Sequence, residues 1–266
     1  MKAIEGTQAY AAAIWRCRYF WMSLVKMDLR TRYRRSVLGI GWSLLHPIAM
    51  TIVLCTVFHK LFNLDIREYG PFLLSGLTFW GFLTTSITHG CECFFMGETY
   101  IRQYPAPVAI YPLRTVLGGA VHFGLALIVV LLLTWAMRGF SNLDALVSLV
   151  PTLMLLMVLG WSLAVLAGFA NVFFPDMKHL LEIGLQLLFY ATPVMYPPAL
   201  LADRGMAWMV EYNPVAAILG LIRQPILDGH FPQAGTWAVA LATVLSAATA
   251  ALFTLVKLQR RLIFHL

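Results

Sequence analysis

The stretch RTRYRRSVLGIGWSLLHP, Arg30 to Pro47, decides the fold because it changes from basic to apolar within a few residues. Four arginines occupy its first six positions, and a largely apolar run begins at Val37. Such a cluster indicates either a nucleic-acid contact or the boundary of a membrane span. The rest of the chain separates these two interpretations.

The composition is that of a membrane protein. The chain has 266 residues, of which 60% are hydrophobic and 12% are charged, and its mean hydropathy is +0.77. A soluble domain carries about 25% charged residues. Runs of roughly 20 apolar residues recur along the chain, which is the length that a membrane-spanning helix needs. We therefore predict an all-α integral membrane protein. No soluble domain is expected to present the arginines to nucleic acid.

Hydrophobic periodicity divides the chain into an N-terminal segment, residues 1–38, and a transmembrane domain, residues 39–266. From Trp15 to Arg35 apolar residues recur every three or four positions among many basic ones, which predicts an amphipathic helix on the membrane surface. Arg223 and several prolines interrupt residues 197–228, so we predict short re-entrant helices in the outer leaflet there. Six spans are expected, at about 42–62, 71–90, 114–137, 146–171, 179–198 and 235–257.

The distribution of basic residues predicts the orientation. Of the 19 lysines and arginines, 14 lie in the N-terminal segment, the loops after the second and fourth spans, and the C-terminal tail. The positive-inside rule places those segments, and both termini, in the cytoplasm. The apolar stretch at residues 9–14 is too short for the core of a signal peptide.

Motifs for catalysis and for metal binding are weak or missing. The sequence lacks the phosphate-binding loop G-x-x-x-x-G-K-[ST] and the motifs H-E-x-x-H and G-x-S-x-G, so neither an ATPase nor a membrane-embedded transferase is indicated. In His89–Cys93 the C-x-C spacing favours reduced thiols over a metal site. Few ionisable groups fall within the spans: Glu182 can reach the interface, and His122 is interpreted as a hydrogen-bonded packing residue. The lack of midplane carboxylates disfavours a proton-coupled carrier.

Aromatic residues are abundant in and beside the first, second and fifth spans. They could face lipid, or they could line a conduit in which sugar rings stack on aromatic faces, and periodicity leaves both interpretations open. The candidates for a channel lining are Trp42, Phe58, Phe79, Trp80, Tyr190 and Tyr196.

Two short loops are expected to face the cytoplasm. In Gly97–Arg114 three prolines predict a short helix followed by an extended elbow. In residues 173–180 Asp176 is expected to cap the next helix. These loops are either ordinary turns or docking elements for an energising subunit, and their spacing does not distinguish the two.

Five collinear segments resemble a known family. They are RYRRSVLGIGWSLLHPI from Arg32, FLLSGLTFWGF from Phe72, ETYIRQYPAPVAIYPLRTVLG from Glu98, FFPDMKHLLEIGLQLLFYATPVMYP from Phe173 and EYNPVAAILGLIRQPIL from Glu211. Together they resemble permease subunits of type-two ABC exporters, and most of all the Wzm-type O-antigen export permeases, with capsule and teichoic-acid export permeases as close relatives and first alternatives. Exporters of lipo-oligosaccharide, drugs or haem in the same superfamily are the further alternative.

The resemblance implies a homodimer bound to two copies of an ATPase subunit, which carries the ATP and Mg that this chain would not bind. It implies transport of a lipid-linked polysaccharide across the bacterial inner membrane. It further implies three groups of site residues: a substrate and pyrophosphate entrance at Arg32, Arg34, Arg35, Leu38 and Gly39; ATPase coupling at Glu98, Thr99, Tyr100, Arg102, Asp176, Lys178 and His179; and an outer gate at Pro197, Pro198, Tyr212, Asn213 and Pro214. The chain departs from the family at Ala106-Pro107, where basic residues are common, and at Pro175, where arginine is common.

Overall fold

The computed structural model describes residues 10, 12–34, 36, 39–62, 64–103, 106–202, 205–206 and 208–266. In these residues the regular structure is helical, and no strand occurs among them. The helices are α1 Arg18–Arg32, α2 Trp42–Phe62, α3 Ile66–Gln103, α4 Ile110–Met137, α5 Leu149–Phe173, α6 Met177–Ala191, α7 Pro198–Ala202, α8 Trp208–Glu211, α9 Pro214–Arg223 and α10 Ala234–Leu262. Short 3-10 turns cover Gly39–Gly41 and Asp144–Ser148, and a π-helical turn covers Gln224–Asp228.

Four helical segments of the described chain are long and apolar enough to cross a bilayer. They are Gly39–Leu61, Ile110–Met137, Asp144–Phe173 and Ala234–Leu262, which identify a multi-pass membrane protein. Helix α3 has 38 residues but is less apolar. Helix α6 has only 15 residues, or about 22 Å of rise against a hydrocarbon core of about 30 Å.

The expected span at 179–198 is wrong at its C-terminal end. Helix α6 ends at Ala191, and Thr192 adopts an extended conformation with φ −101° and ψ 138°. Pro193 explains this break, because a proline ring disfavours the α conformation of the residue before it. The chain then runs without regular structure until α7 begins at Pro198.

The predicted second span and the short helix after it form one continuous helix, α3. Two of its glycines lie at close helix contacts. A Cβ on Gly90 would lie 2.6 Å from the Cα of Ala164, and a Cβ on Gly97 would overlap the ring of Tyr111. These glycines therefore serve close packing and leave the helix unbroken through Glu98–Gln103.

Helix α3 lies at the centre of the bundle and packs against α4 and α5. In the main core the rings of Phe82 and Phe123 lie 5.1 Å apart, and Phe79 is fully buried beside them. A second core lies around Phe94 and Phe169, whose rings are 4.9 Å apart, and it includes apolar side chains from α1, α4 and α10. We call the end of the bundle at this second core the arginine-rich end, because α1 packs there.

Helix α1 is joined to α4 by two polar contacts. The buried guanidinium of Arg114 donates two hydrogen bonds to the carboxylate of Asp28. Further along both helices, the Tyr33 hydroxyl lies 3.2 Å from Nδ1 of His122. His122 is thus hydrogen-bonded, as predicted. The amphipathic helix therefore packs against the bundle along one side.

Within 197–228 the described residues form three short helices and the π-helical turn, where short re-entrant helices were expected. Asn213 starts α9: its side-chain oxygen accepts hydrogen bonds from the backbone amides of Val215, at 2.9 Å, and Ala216, at 3.3 Å. Pro214 occupies the first helical position, where its missing N–H costs nothing.

Candidate functional site

A groove of about 710 Å³ lies between α2, α3, α4 and α6, and it is the candidate functional site. Its wall contains aromatic rings, hydroxyl groups and few charges. The residues that line it are Arg32, Trp42, Ser43, His46, Pro47, Met50, Leu77, Thr78, Trp80, Gly81, Phe82, Thr84, Thr85, Thr88, Gly119, His122, Phe123, Ala126, Glu182, Leu185, Gln186, Phe189 and Tyr190.

The predicted entrance residues meet this groove through Arg32 alone among those described. Arg32 ends α1 and lines the groove, whereas Arg34 is exposed and does not line it. Gly39 has a positive φ of 52°, which glycine adopts without strain, and its amide donates to the hydroxyl of Ser36 at 3.0 Å. Arg35 and Leu38 lie outside the described residues.

The predicted channel aromatics divide into two groups. Trp42, Trp80 and Tyr190 line the groove. Phe79 is fully buried in the main core, and Phe58 packs in a separate cluster around Tyr69. The hydroxyl of Tyr196 donates to the carbonyl of Tyr190 at 2.7 Å, so Tyr196 braces the end of α6 from outside the groove lining.

Sequence reasoning missed the hydroxyl groups of the groove. Thr78, Thr84, Thr85 and Thr88 all come from α3, and Ser43 adds a hydroxyl from α2. Their spacing along one helix was the available signal. It was overlooked because threonine in an apolar helix commonly bonds to its own backbone and marks no site.

The first predicted coupling segment is the C-terminal part of α3. Glu98 and Arg102 form an ion pair one helical turn apart, with Arg102 Nε 2.9 Å from the carboxylate, and both side chains are partly exposed. The ring of Tyr100 packs edge-on against Phe20 of α1 at 5.7 Å. Thr99 is exposed. The segment thus presents polar groups outward while it contacts the amphipathic helix.

The second predicted coupling segment is tied to α3 by Lys178. Its ammonium donates to the carboxylate of Glu92 at 2.6 Å, and this hydrogen bond, together with the Coulomb attraction of Glu92, raises the pKa of Lys178. His179 and Asp176 are exposed. Asp176 occupies the N-cap position of α6, as predicted, but its side chain makes no capping hydrogen bond. Its backbone is α-helical, whereas a capping residue normally adopts extended angles.

The predicted gate residues have contrasting environments. Tyr212 is 82% exposed, and Asn213 is buried. The amide nitrogen of Asn213 donates to the hydroxyl of Thr192 at 3.0 Å and to the carbonyl of Ala191 at 3.3 Å. Pro198 is the first residue of α7, preceded by Pro197. Asn213 therefore links the start of α9 to the end of α6.

Arg223 is the polar residue that sequence reasoning misjudged most. It was taken only as an interruption of an apolar run, yet it is 7% exposed. Its guanidinium donates to the carbonyls of Pro193 at 2.5 Å, Val194 at 2.8 Å and Phe72 at 3.0 Å. The guanidinium carbon also lies 3.6 Å from the centroid of the Phe72 ring. Arg223 thus pairs with two backbone carbonyls of the irregular segment after α6 and with one carbonyl of α3.

All four cysteines are free thiols, and Cys91 and Cys93 are buried in the helix core. Among the described residues no three histidine, cysteine, aspartate or glutamate side chains lie together as a metal-binding group.

The profile of the ABC-2 type transporter family matches residues 19–227, which run from α1 through the π-helical turn. The chain belongs to the ABC-2 type transporter family. This ABC-2 permease is 25% identical to the O-antigen export system permease protein RfbA of Klebsiella pneumoniae over 77% of its own length and 79% of that protein. It is 26% identical to the RfbA protein of Myxococcus xanthus, covering 83% and 85% of the two chains. It is 24% identical to the polysialic acid transport protein KpsM of Escherichia coli, covering 79% and 82%.

Proposed function

We propose that this ABC-2 permease is the membrane-spanning subunit of an ATP-driven exporter that moves a lipid-linked, O-antigen-like polysaccharide out of the bacterial cytoplasm. The observation that carries the proposal is the groove, whose wall combines aromatic rings with hydroxyl groups and has Arg32 on its rim. Sugars stack on aromatic faces and form hydrogen bonds with hydroxyls, so a neutral glycan suits such a wall. The similarity to permeases named for O-antigen export and polysialic acid transport supports the same substrate class.

In this proposal the arginine-rich end faces the cytoplasm, both termini lie there, and the protein resides in the inner membrane. The four apolar spans are joined by α3 and α6, which makes six crossings, and α7–α9 form re-entrant helices in the outer leaflet. Helix α6 can cross as a short segment because the side chain of Asn213 donates to the carbonyl of Ala191, and that of Arg223 donates to the carbonyls of Pro193 and Val194. Non-helical backbone is tolerated within a membrane where protein groups pair with it.

A second copy of the chain completes the conduit in this proposal. The groove is open on one side, and its neighbours α2 and α6 expose apolar side chains, including Ile52, Val57, Ile183 and Leu187. Pairing two such surfaces would enclose the groove. The exposed apolar side chains would then pack between the two copies as well as against lipid. Two copies of an ATPase subunit, which bind ATP and Mg, would dock on the segments around Glu98 and Lys178.

Arg32 provides the sharpest test, because it joins the basic cluster to the groove. A lipid-linked glycan carries anionic phosphate, and an arginine at the groove rim offers a charge-assisted hydrogen bond to it. We expect Arg32→Gln to lower the rate of glycan appearance at the cell surface about tenfold, which corresponds to loss of one such bond of about 1.4 kcal/mol.

The matched control is Arg30→Gln, since Arg30 is an exposed arginine of α1 that does not line the groove. The assay is pulse-labelled surface glycan in cells whose own permease gene is deleted and replaced by each variant, with membrane levels measured in parallel. Equal export by the Arg32 and Arg30 variants would assign the arginines to topology alone. Unchanged surface glycan in the deletion strain would refute polysaccharide export.

A further inference from the structure

One face of α3 carries a series of hydroxyl groups along the groove. Gly81 lies on this face, three positions from both Thr78 and Thr84, four from Thr85 and seven from Thr88. These spacings place all four threonines on the same side of the helix as Gly81. From Thr78 to Thr88 this face extends about 15 Å along the helix axis. We call these four threonines and Gly81 the threonine track.

Two hydroxyls of the track have no hydrogen-bond partner among the described residues. Threonine within a helix commonly donates to the carbonyl four residues earlier, as Thr134 does to Val130 at 2.8 Å and, within the track, Thr88 does to Thr84 at 2.9 Å. The hydroxyls of Thr78 and Thr84 are buried and make no such bond. Thr78 itself is 6% exposed. A buried hydroxyl without a partner is costly, so this wall is suited to receive hydrogen bonds from a ligand.

Gly81 adds a second, independent observation. The other glycines of α3, at positions 70, 76, 90 and 97, each have a neighbouring atom within 4 Å of the place where a Cβ would lie, whereas Gly81 has none. Close packing therefore explains those glycines and does not explain Gly81. Glycine within a helix costs about 1 kcal/mol relative to alanine. Unlike Gly124, which also meets open space, Gly81 lines the groove, so a side chain at this position would enter it.

We infer that the threonine track is the surface on which the sugar residues of the transported glycan slide, with Gly81 keeping the passage open. This inference rests on the proposed function and assigns the glycan contact to particular residues of α3. Hydroxyl groups both donate and accept hydrogen bonds, so they can pair with the hydroxyls of a sugar chain at any position of that chain along the track. The aromatic rings of Trp80 and Phe189, whose centroids lie 5.3 Å apart, border the same groove and supply apolar contact.

The first test blocks the track. Gly81→Leu places a side chain in the groove, and we expect glycan export to fall at least about tenfold while the permease still reaches the membrane and co-purifies with its ATPase. The matched control is Gly124→Leu, because Gly124 lies on the far face of α4, also has no neighbour within 4 Å of its Cβ position, and does not line the groove. We expect its export to stay within about twofold of the wild type.

The second test removes the hydroxyls and keeps the side-chain shape. The triple variant Thr78→Val, Thr84→Val and Thr85→Val should lower export about tenfold, which corresponds to about 1.4 kcal/mol shared among three hydrogen bonds. Thr134→Val is the control, since its hydroxyl bonds to the backbone and lies outside the groove. Wild-type export by either the Gly81 variant or the triple variant would overturn the inference.

A labelling experiment tests the contact without measuring transport. Thr85→Cys in the full complex should react with N-ethylmaleimide in membranes of cells that make no glycan, and should react several-fold more slowly in membranes of glycan-producing cells. Equal labelling in both membranes would overturn the inference. Failure of the proposed function is distinguishable, because then the wild-type gene itself would not restore surface glycan.

Discussion

The buried Arg223 leads to the most quantitative prediction about stability. Replacing it by glutamine shortens the side chain and leaves the carbonyls of Pro193 and Val194 without their donors at 2.5 and 2.8 Å. A buried polar group that loses its partner costs about 1–3 kcal/mol, so the two carbonyls together cost about 4 kcal/mol at the middle of that range. Part of this is offset, because a guanidinium no longer has to be desolvated. We expect a net loss of about 3 kcal/mol in the free energy of unfolding.

The assay is thermal unfolding of the purified permease in detergent, followed by tryptophan fluorescence. For a chain of this size about 1 kcal/mol corresponds to roughly 2–4 °C, so Arg223→Gln should lower the Tm by roughly 6–12 °C. The Tm of Arg223→Lys should lie between those of the wild type and Arg223→Gln. A lysine ammonium can reach one of the two carbonyls but cannot bond to both, as the planar guanidinium does. Arg138→Gln is the control: its guanidinium is part-exposed and lies 3.7 Å from Glu68, and such surface pairs contribute little.

A Tm of the Arg223→Gln variant within about 2 °C of the wild type would refute this reasoning, since it would mean that the carbonyls find other donors. Gly76→Ala provides an independent check on the same packing. A Cβ there would lie 2.7 Å from the carbonyl oxygen of Val194 and would overlap the guanidinium of Arg223. It should therefore destabilise the permease although it removes no hydrogen-bonding group.

Three further predictions concern the arginine-rich end and the helix contacts. Asp28→Asn should loosen the packing of α1, because it leaves the buried Arg114 without its counter-charge at a cost of about 3–5 kcal/mol. We expect faster proteolysis of the N-terminal segment, and an unchanged rate of proteolysis would contradict this prediction. Gly90→Ala should force α3 and α5 apart and lower the Tm, whereas Gly124→Ala, which meets open space, should raise it slightly or leave it unchanged. Because the pKa of Lys178 is raised above 10.5, its ammonium keeps its charge from neutral pH up to that value, and Glu92 loses this partner only as the pH rises further. In the proposed complex with an ATPase, coupling should therefore not change through this pair between neutral pH and about 9.

The sequence predicted the long apolar helices well and the interrupted ones poorly. The spans expected at 114–137 and 235–257 lie within α4 and α10, because continuous apolar runs of that length have few alternatives. The end of α6 was missed because apolar residues continue past Ala191, and one residue before a proline was enough to stop the helix. The continuity of α3 was missed because glycines usually weaken a helix, whereas the glycines of α3 allow close packing with neighbouring helices.

The site was predicted in part, and the missing part depends on contacts between distant positions. Trp42, Trp80 and Tyr190 were named from residue type and position, Arg32 was named from the family resemblance, and all four line the groove. Arg223 was not anticipated, because its acceptors are backbone carbonyls, one of them on Phe72, 151 residues away. Carbonyls have no sequence signature, so an arginine in an apolar run does not reveal whether it faces water, lipid or unwound backbone.

The placement of charge in this permease is consistent with a conduit that must not hold its cargo tightly. The strong polar interactions lie at the two ends: Asp28 with Arg114 at the arginine-rich end, and Arg223 with free carbonyls at the other. Between them the groove offers hydroxyls and aromatic faces, whose individual contacts are each worth only about 1 kcal/mol. A polymer that advances by many equivalent steps requires each contact to be weak enough to break, as in pores that conduct by successive weak sites. It follows that converting Thr85 to arginine should slow export more than converting it to valine, because the several hydrogen bonds that a guanidinium donates to sugar hydroxyls hold the chain in place, whereas a missing contact only loosens it.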